Sequence, residues 1–265
     1  GSGAGAGGRI SLVAATNVSS SLAVRSVGGV GSSGYTSCGG AAGAIYAQDG
    51  SRPGGHLVVD NEQVTTYSTI VTPYPSDVSG NALDGLQLKG KARVNATAGW
   101  SNNDVSSTTL NVGSDAYITG DSIHVTSTGS MTVAGTVSCT ELLRVRSGGS
   151  AGASMRVETG GLVSCVSCEV DVALGSRNGS SVRLEGQIKA RTLTLTGELV
   201  EVLGSQTAWT GATSIEAERM IVGGSGRISV TASSSTLSAS ASQTALSLDL
   251  GWLEVETGRT VLCSG

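Results

Sequence analysis

Short apolar runs recur along this chain at a nearly fixed interval, and this periodicity restricts the fold more than any other sequence feature. From about residue 120 onward the first run of each repeat occupies positions 131–135, 155–160 and 182–186. Each leads into a second run and then a third, the third runs lying at positions 142–146, 169–173 and 192–196. Three short strands in about 25 residues form one coil of a parallel β-helix. The sequence therefore predicts an all-β, right-handed parallel β-helix (β-solenoid) with about three short strands per coil of roughly 24–27 residues.

The composition agrees with coils that enclose a narrow interior. The 265 residues include 40 Gly and no Phe, and aromatic residues make up only 3%. The 38% hydrophobic share is therefore nearly all small aliphatic side chains, which suit a thin core better than a thick globular one. Glycines without a three-residue period exclude collagen and are expected to mark the corners of the coils.

The recurring pattern of short apolar runs separated by Gly and Ser predicts one continuous β-solenoid segment, residues 1–265, that belongs to a larger protein. Residues 1–61 form a Gly-rich module, and residues 62–119 form irregular coils with a protruding loop near 72–77, where Pro73 and Pro75 break the strand pattern. Residues 120–222 form the regular coils. The tetrapeptide Gly-Arg-Ile-Ser occurs at positions 8–11 and again at 226–229, so residues 223–265 are expected to begin a second copy of the module.

The Gly-rich module, residues 1–61, carries a series of motifs that resembles a known module. The series reads GAGAGGRISL at positions 3–12, GGAAGAIY at 39–46 and HLVVDN at 56–61. It is similar to a Gly-rich, β-helical module of giant extracellular surface proteins of algae, other protists and some bacteria, either mastigoneme-like (flagellar hair) or adhesin-like. Two residues depart from the usual pattern, Ala44 at a Thr position and Gln48 in a region that usually holds Lys. The resemblance implies a secreted, cell-surface location and a structural or adhesive role, with no catalytic residues to carry over.

Five cysteines and three sequons are the candidate covalent sites. Cys139 and Cys165 occupy equivalent places on adjacent predicted coils, where they can stack as an inward ladder or oxidise to a disulfide, and Cys168 follows Cys165 in a Cys-x-x-Cys pattern. Cys38 and Cys263 complete the odd set. The candidate glycosylation sites are Asn17, Asn95 and Asn178. A lone Cys-x-x-Cys with no second pair at metal-ligand spacing predicts neither a metal site nor another cofactor.

Charge and hydropathy restrict the partners of the chain. The formal charge of −4 and the lack of a basic run argue against nucleic acid, and no apolar stretch reaches the ~18 residues of a membrane helix, so direct membrane insertion is not expected. The expected partners are neighbouring β-helical segments or subunits, joined end to end or laterally, together with glycans. The leading interpretation is a structural module of a secreted surface or filament protein that acts by stiff stacking and lateral association.

Three alternative functions stay open at this point. A carbohydrate-binding or adhesin module would use the scattered aromatics, such as Trp100, Trp209 and Trp252. A polysaccharide lyase or hydrolase needs carboxylates that converge on neighbouring coils, whereas the aspartates here are dispersed, so the chain is predicted not to be an enzyme. The dispersed aspartates are Asp60, Asp77, Asp84, Asp104, Asp115 and Asp121.

The third alternative is an ice-binding solenoid, which would require a flat array of threonines on successive coils. Thr192, Thr194 and Thr196 form one such row. The expected equivalents on neighbouring coils are Arg144, Arg146, Asp171 and Ala173, which do not extend it. A single row of threonines is therefore expected rather than an array.

Overall fold

The computed structural model describes 16 segments of the chain. They are residues 6–15, 24–29, 39–62, 64, 71–73, 83–96, 104–127, 130–147, 154–171, 181–196, 199–203, 213–223, 227–231, 246–250, 253–255 and 260–264. All regular secondary structure in these segments is β-strand. The predicted all-β class is therefore confirmed for the described part of the chain.

The first ten strands cover the Gly-rich module and the irregular region up to the first predicted repeat. They are β1 (Arg9–Val13), β2 (Gly43–Asp49), β3 (Arg52–Asp60), β4 (Thr72–Pro73), β5 (Gly85–Lys89), β6 (Arg93–Asn95), β7 (Asp104–Ser107), β8 (Leu110–Val112), β9 (Tyr117–Ser127) and β10 (Ser130–Val133). Eleven strands follow. They are β11 (Thr136–Ser147), β12 (Ser154–Val157), β13 (Leu162–Asp171), β14 (Ser181–Leu184), β15 (Gln187–Thr196), β16 (Leu199–Leu203), β17 (Thr213–Gly223), β18 (Arg227–Thr231), β19 (Leu246–Leu250), β20 (Leu253–Val255) and β21 (Thr260–Ser264).

The strands form two long sheets, between which the chain alternates. The first sheet has 11 strands in the order β1-β2-β3-β5-β8-β10-β12-β14-β16-β18-β21. The second has the order β19-β17-β15-β13-β11-β9-β6-β4, with β7 and β20 paired beside β9 and β17. From β8 to β17 every strand is followed by a strand of the other sheet and pairs in parallel with the strand two places later. The predicted parallel arrangement is confirmed at this level.

The pairing register reproduces the repeat that the sequence predicts. In the first sheet Met131 pairs with Met155, and Met155 pairs with Val182, as the positions of the first runs indicate. In the second sheet Val137 pairs with Val163 and Val163 with Ile188. Since side chains alternate faces along a strand, this register places like residues on the same face of successive strands.

The register of the third run differs from the sequence-based alignment. Leu142 pairs with Ser167, and Ser167 pairs with Thr192, so the run expected at 169–173 begins two residues earlier. Part of the shift comes from an irregularity in β11. Leu142 follows Ser138 by four positions, whereas Ser167 follows Ser164, the partner of Ser138, by three. One extra residue in one strand is the mark of a β-bulge, which bends the strand locally.

The second and third predicted runs form one strand in the regular part of the chain and two strands elsewhere. β11 and β13 carry both runs, with the irregularity between them. Beside β9 the same two places are taken by separate strands, β6 on one half and β7 on the other. β19 and β20 divide in the same way beside β17. Each repeat therefore contributes three paired runs, one to the first sheet and two to the second.

The core consists of inward-facing columns of aliphatic side chains that run across the strands. One column contains Leu57, Leu86, Leu110, Met131 and Met155, each at most 1% exposed. A second column, two positions along each strand, contains Val59, Leu88, Val112, Val133 and Val157. No fully buried side chain among the described residues is larger than Leu, Ile or Met, which fits a chain without Phe.

Glycines occupy the turns between the two sheets, as expected, because the backbone of the neighbouring repeat passes close to them. A Cβ atom at Gly135 would lie under 3.0 Å from the carbonyl oxygens of both Gly113 and Ala116. A Cβ at Gly186 would lie 2.5 Å from the carbonyl oxygen of Gly161. The glycines therefore allow the turns of successive repeats to stack in contact.

Two features of the N-terminal third of the chain depart from the expected pattern. β2 and β3 pair antiparallel, because Gly50 and Ser51 form a hairpin turn in which the Asp49 carboxylate accepts hydrogen bonds from the Ser51 N–H (3.0 Å) and hydroxyl (2.6 Å). The loop expected near 72–77 begins with strand β4, whose Thr72 is buried and donates a 2.7 Å hydrogen bond to the Ala42 carbonyl. Residues 74–77 lie outside the described segments.

Candidate functional site

The Gly-rich module is a set of backbone segments in direct contact. The N–H of Gly7 donates to the Ala41 carbonyl (2.9 Å), that of Gly40 to Gly29 (2.9 Å) and that of Gly43 to Ser26 (3.2 Å). The Ser26 hydroxyl also donates to the Gly8 carbonyl. Residues 6–8, 24–29 and 39–43 are thereby joined to one another beside strand β2.

The spacing of the glycines in this module follows from these close contacts. A Cβ at Gly7 would lie under 3.0 Å from backbone atoms of Gly43, and one at Gly28 would lie under 3.0 Å from the carbonyl oxygens of Gly40 and Ala41. At Gly8, by contrast, a Cβ would meet nothing within 4 Å. The glycines at positions 7 and 28 are therefore required for the close approach of these backbone segments.

Asn61, the last residue of the HLVVDN motif, joins the module to the end of strand β3. Its side chain is 1% exposed, and its Oδ1 accepts a 3.0 Å hydrogen bond from the Gly28 N–H. Its Nδ2 donates to the carbonyl of Val64 (3.0 Å) and, at 3.5 Å, approaches that of Gly40. The buried Asn61 amide thus binds one backbone N–H and two backbone carbonyls and holds these segments together. The sequence pattern alone did not indicate this role.

The three central cysteines lie together in the interior of the second sheet. Cys139 and Cys165 are each 6% exposed and Cys168 is fully buried, and all three are free thiols. Cys139 follows Ser138, which pairs with Ser164, the residue before Cys165. The residues that precede the two cysteines are thus paired on adjacent strands, and the equivalence of Cys139 and Cys165 themselves stays a prediction. Cys38 lies outside the described segments, and Cys263 pairs with Val230 at the far end of the first sheet.

The surroundings of Cys139 and Cys168 make these two thiols weak acids. Burial raises the pKa of Cys139 to about 12, with a smaller contribution from the nearby Cys165 and an opposing one from a backbone hydrogen bond at Ile123. A hydrogen bond with Cys165 and burial both raise the pKa of Cys168 well above its usual value. At neutral pH these groups are thiols, which are poor nucleophiles and poor metal ligands.

In its reduced form the chain is expected to lose stability at alkaline pH because of Cys139. Its folded-state pKa of about 12 lies above the ordinary value of 9.0, so the stabilisation is complete below pH 9 and is lost as the pH rises toward 12. The free energy of unfolding should fall by about 1.4 kcal/mol per pH unit in this window from this group alone. Urea denaturation at pH 8 and at pH 10.5 measures this fall in the free energy of unfolding.

Cys139→Ala is the matched control for this measurement, since Ala190 occupies the same column two strands away. Subtracting its alkaline loss removes the contributions of Lys and Tyr side chains. Equal losses in the two proteins would contradict a buried Cys139 thiol.

The outward face of the repeats carries charged side chains that pair between adjacent strands. Arg144 and Glu169 form a 2.8 Å ion pair across β11 and β13, and Arg146 lies 3.9 Å from its register partner Asp171. On the first sheet the neighbouring Arg156 and Arg183, which are of like charge, both approach the Glu185 carboxylate, at 3.6 and 2.6 Å. Each exposed pair contributes little stability, but the pairing leaves this face close to neutral.

The aspartates considered as catalytic candidates are dispersed, and three of them accept hydrogen bonds from separate parts of the chain. Asp60 accepts a hydrogen bond from the Glu62 N–H (2.7 Å), Asp84 from the Gly54 N–H (2.8 Å), and Asp121 from the Thr140 hydroxyl (2.6 Å). Asp104 begins β7, Asp115 lies in the turn after β8, and Asp77 is outside the described segments. Among the described residues no group of three or more His, Cys, Asp or Glu side chains is placed to hold a metal ion.

The remaining predicted site residues divide between described and undescribed segments. Asn95 ends strand β6, whereas Asn17 and Asn178 lie outside the described segments, as do Trp100, Trp209 and Trp252. Thr192, Thr194 and Thr196 on β15 pair in that order with Ser167, Glu169 and Asp171 on β13. The sequence-based alignment was wrong by two positions here, because it placed Asp171 and Ala173 where Glu169 and Asp171 lie. On β17 the partners of these threonines are Arg219, Ile221 and Gly223, so the row does not extend to either side.

No helix among the described residues has the length and apolar character to cross a membrane. Comparison with known proteins found no match among family models, curated proteins or solved structures.

Proposed function

We propose that the chain is a right-handed parallel β-helix that serves as a structural module of a secreted surface or filament protein. In this proposal it acts by stiffness and by association with neighbouring β-helical segments. The observation that carries the proposal is the strict alternation of the chain between two parallel sheets from β8 to β18. A chain that returns to the same sheet after each crossing, always one strand further along, winds as a coil.

The contacts within and between coils support a stiff object. Parallel ladders join each coil to the next, the aliphatic columns continue from coil to coil, and turn glycines such as Gly135 and Gly186 bring successive turns into backbone contact. The eight successive strands of the second sheet, at the ~4.8 Å strand spacing, would give a rod on the order of 40 Å long. A role based on shape needs such rigidity more than it needs a reactive site.

The ends of the first sheet support association with further segments. Among the described strands β1 pairs only with β2, and β21 only with β18, so each presents a second edge. Unpaired edges of a sheet are templates for another strand. Val13 at the end of β1 is 71% exposed. The surface proteins that the Gly-rich module resembles contain repeated modules, and end-to-end continuation fits that organisation.

Assembly of the purified chain tests the proposal. We expect self-association that grows with concentration in sedimentation velocity, with rods or short filaments in negative-stain electron microscopy. Val13→Lys should weaken the association by about fivefold or more, because a charged side chain beside a sheet edge opposes pairing with another strand.

Val166→Lys is the matched control, since Val166 is 45% exposed but lies on β13 in the middle of its sheet. It should leave association unchanged. A chain that remains monomeric at all concentrations, or that assembles equally well with Lys at position 13, would overturn the association proposal. Strong binding on a glycan array by such a monomer would favour the adhesin alternative instead.

A further inference from the structure

The three buried cysteines are the one cluster of reactive side chains in the described segments that the proposed function does not use. They lie where the second sheet bends, with Cys139 on β11 and both Cys165 and Cys168 on β13. The preceding residues Ser138 and Ser164 are register partners on adjacent parallel strands, and the irregularity of β11 begins directly after Ser138. Cys139 and Cys165 are both buried and close enough to interact electrostatically.

We propose that Cys139 and Cys165 form a disulfide that joins two adjacent repeats, while Cys168 remains a thiol. The geometric argument is the separation of the Cα atoms. Lateral neighbours on paired strands are about 4.8 Å apart, which lies within the roughly 4.4–6.8 Å that disulfides require. The two side chains already point to the same side of the sheet, so the bond needs only rotation about the Cα–Cβ bonds.

The competing pair, Cys165 and Cys168, is less suited to a bond although the two thiols are in contact. Three residues of extended strand span about 10 Å between Cα atoms, and β13 is paired with β15 on both sides of Val166. Both side chains are buried and their thiols share a hydrogen bond, but the register with β15 continues without a shift from Cys165 to Ser167, so the strand stays extended between their Cα atoms. Cys168 is also fully enclosed, whereas Cys139 and Cys165 each retain slight exposure.

The oxidant must be supplied from outside the chain, and a small-molecule disulfide such as oxidised glutathione is sufficient. The thiolate of one cysteine attacks a glutathione sulfur and releases one reduced glutathione, and the second cysteine then attacks the mixed disulfide and releases another. One protein disulfide forms, the glutathione disulfide is reduced, and the two thiol protons pass to the released glutathione. Because both thiols are buried in the folded chain and burial raises the pKa of Cys139, we expect this reaction during folding rather than after it.

Peptide mapping after refolding with oxidised and reduced glutathione tests the pairing. Trypsin leaves Cys139 in the peptide 94–144 and both Cys165 and Cys168 in the peptide 157–177. We expect a crosslink between these two peptides that persists in Cys168→Ala and is lost in Cys165→Ala. Loss of two hydrogen atoms from peptide 157–177 alone would mean that Cys165 and Cys168 are bonded to each other, and it would overturn the assignment. A crosslink between the two peptides that requires Cys168 would overturn it as well.

A stability measurement separates the disulfide from an incidental crosslink. A disulfide that closes the loop between Cys139 and Cys165 should raise the melting temperature of the oxidised chain by roughly 5–10 °C over that of the reduced chain. Cys139→Ala should abolish the difference between oxidised and reduced samples, while Cys168→Ala should retain it. Full oxidation with no change in melting temperature, or five free thiols after refolding, would contradict a stabilising bond between repeats.

Discussion

Gly135→Ala is expected to lower the free energy of unfolding by about 3 kcal/mol, or roughly 6–12 °C in melting temperature. The added methyl group would lie under 3.0 Å from the carbonyl oxygens of Gly113 and Ala116, which belong to the turn of the preceding repeat. Both oxygens are in the backbone, so no side-chain rotation relieves the contact. The Ala116 oxygen also accepts the Thr136 N–H at 2.9 Å, and any shift of the turn would weaken that bond between repeats.

Gly120→Ala provides the control, because it makes the same chemical change at another buried glycine. A Cβ there would lie 3.5 Å from its nearest neighbour, an ordinary van der Waals distance. Its column continues through Cys139, Cys165 and Ala190, all of which carry a Cβ. We expect a stability within about 0.5 kcal/mol of the parent chain. Similar losses for the two variants in calorimetry would mean that the turns of successive repeats are not in contact at Gly135.

Asn61→Asp is expected to destabilise the chain by about 4 kcal/mol at neutral pH, although the side chain keeps its shape. The carboxylate would still accept the Gly28 N–H, but its second oxygen would replace the Nδ2 that faces the carbonyl oxygens of Val64 and Gly40. A buried negative charge against two acceptors has no compensating partner. The measurement is urea denaturation at pH 7, repeated at pH 4.5, where protonation of the carboxyl group should recover part of the loss.

Asn111→Asp is the companion variant for this test. Asn111 lies on the outward face of β8 and is exposed, so the same substitution should change stability by less than about 0.5 kcal/mol. If Asn61→Asp were equally mild, the amide would not hold residues 24–29 and 39–42 against the end of β3. Recovery at lower pH that appeared in both variants would point to a general charge effect instead.

The periodic strands could be predicted from the sequence because one local pattern determines both their positions and their partners. Alternating aliphatic residues mark the inward face, and like residues such as Met131, Met155 and Val182 then align as observed. The third run was misplaced in part because β11 contains one residue more than β13 at the bend. A bulge of this kind changes the alignment without changing the composition, so it leaves little trace in a hydrophobic pattern.

The contacts of the Gly-rich module were harder to predict, because they join distant segments through the backbone. The antiparallel β2–β3 pair does have a local signal, since Gly50 and Ser51 are a two-residue Gly-Ser turn of the kind that joins hairpin strands. Asn61 gave no comparable signal, since a single amide at the end of a strand is usually exposed. Its partners Gly28 and Gly40 lie far from it in sequence, in segments that no local pattern connects to the end of β3.

The unequal lengths of the repeats have a consequence for how such a chain can change during evolution. Val182 pairs with Val200 across a short segment, whereas Ile228 pairs with Val261 across one almost twice as long, yet both pairs extend the same ladder. Segments between strands can therefore gain or lose residues at little cost, because closing a longer loop costs only a fraction of a kcal/mol. A single insertion within a strand, by contrast, would turn every following side chain to the opposite face unless a bulge absorbs it, as in β11. Length variation among descendants of this sequence should thus accumulate between the strands, while the strands keep their residue count.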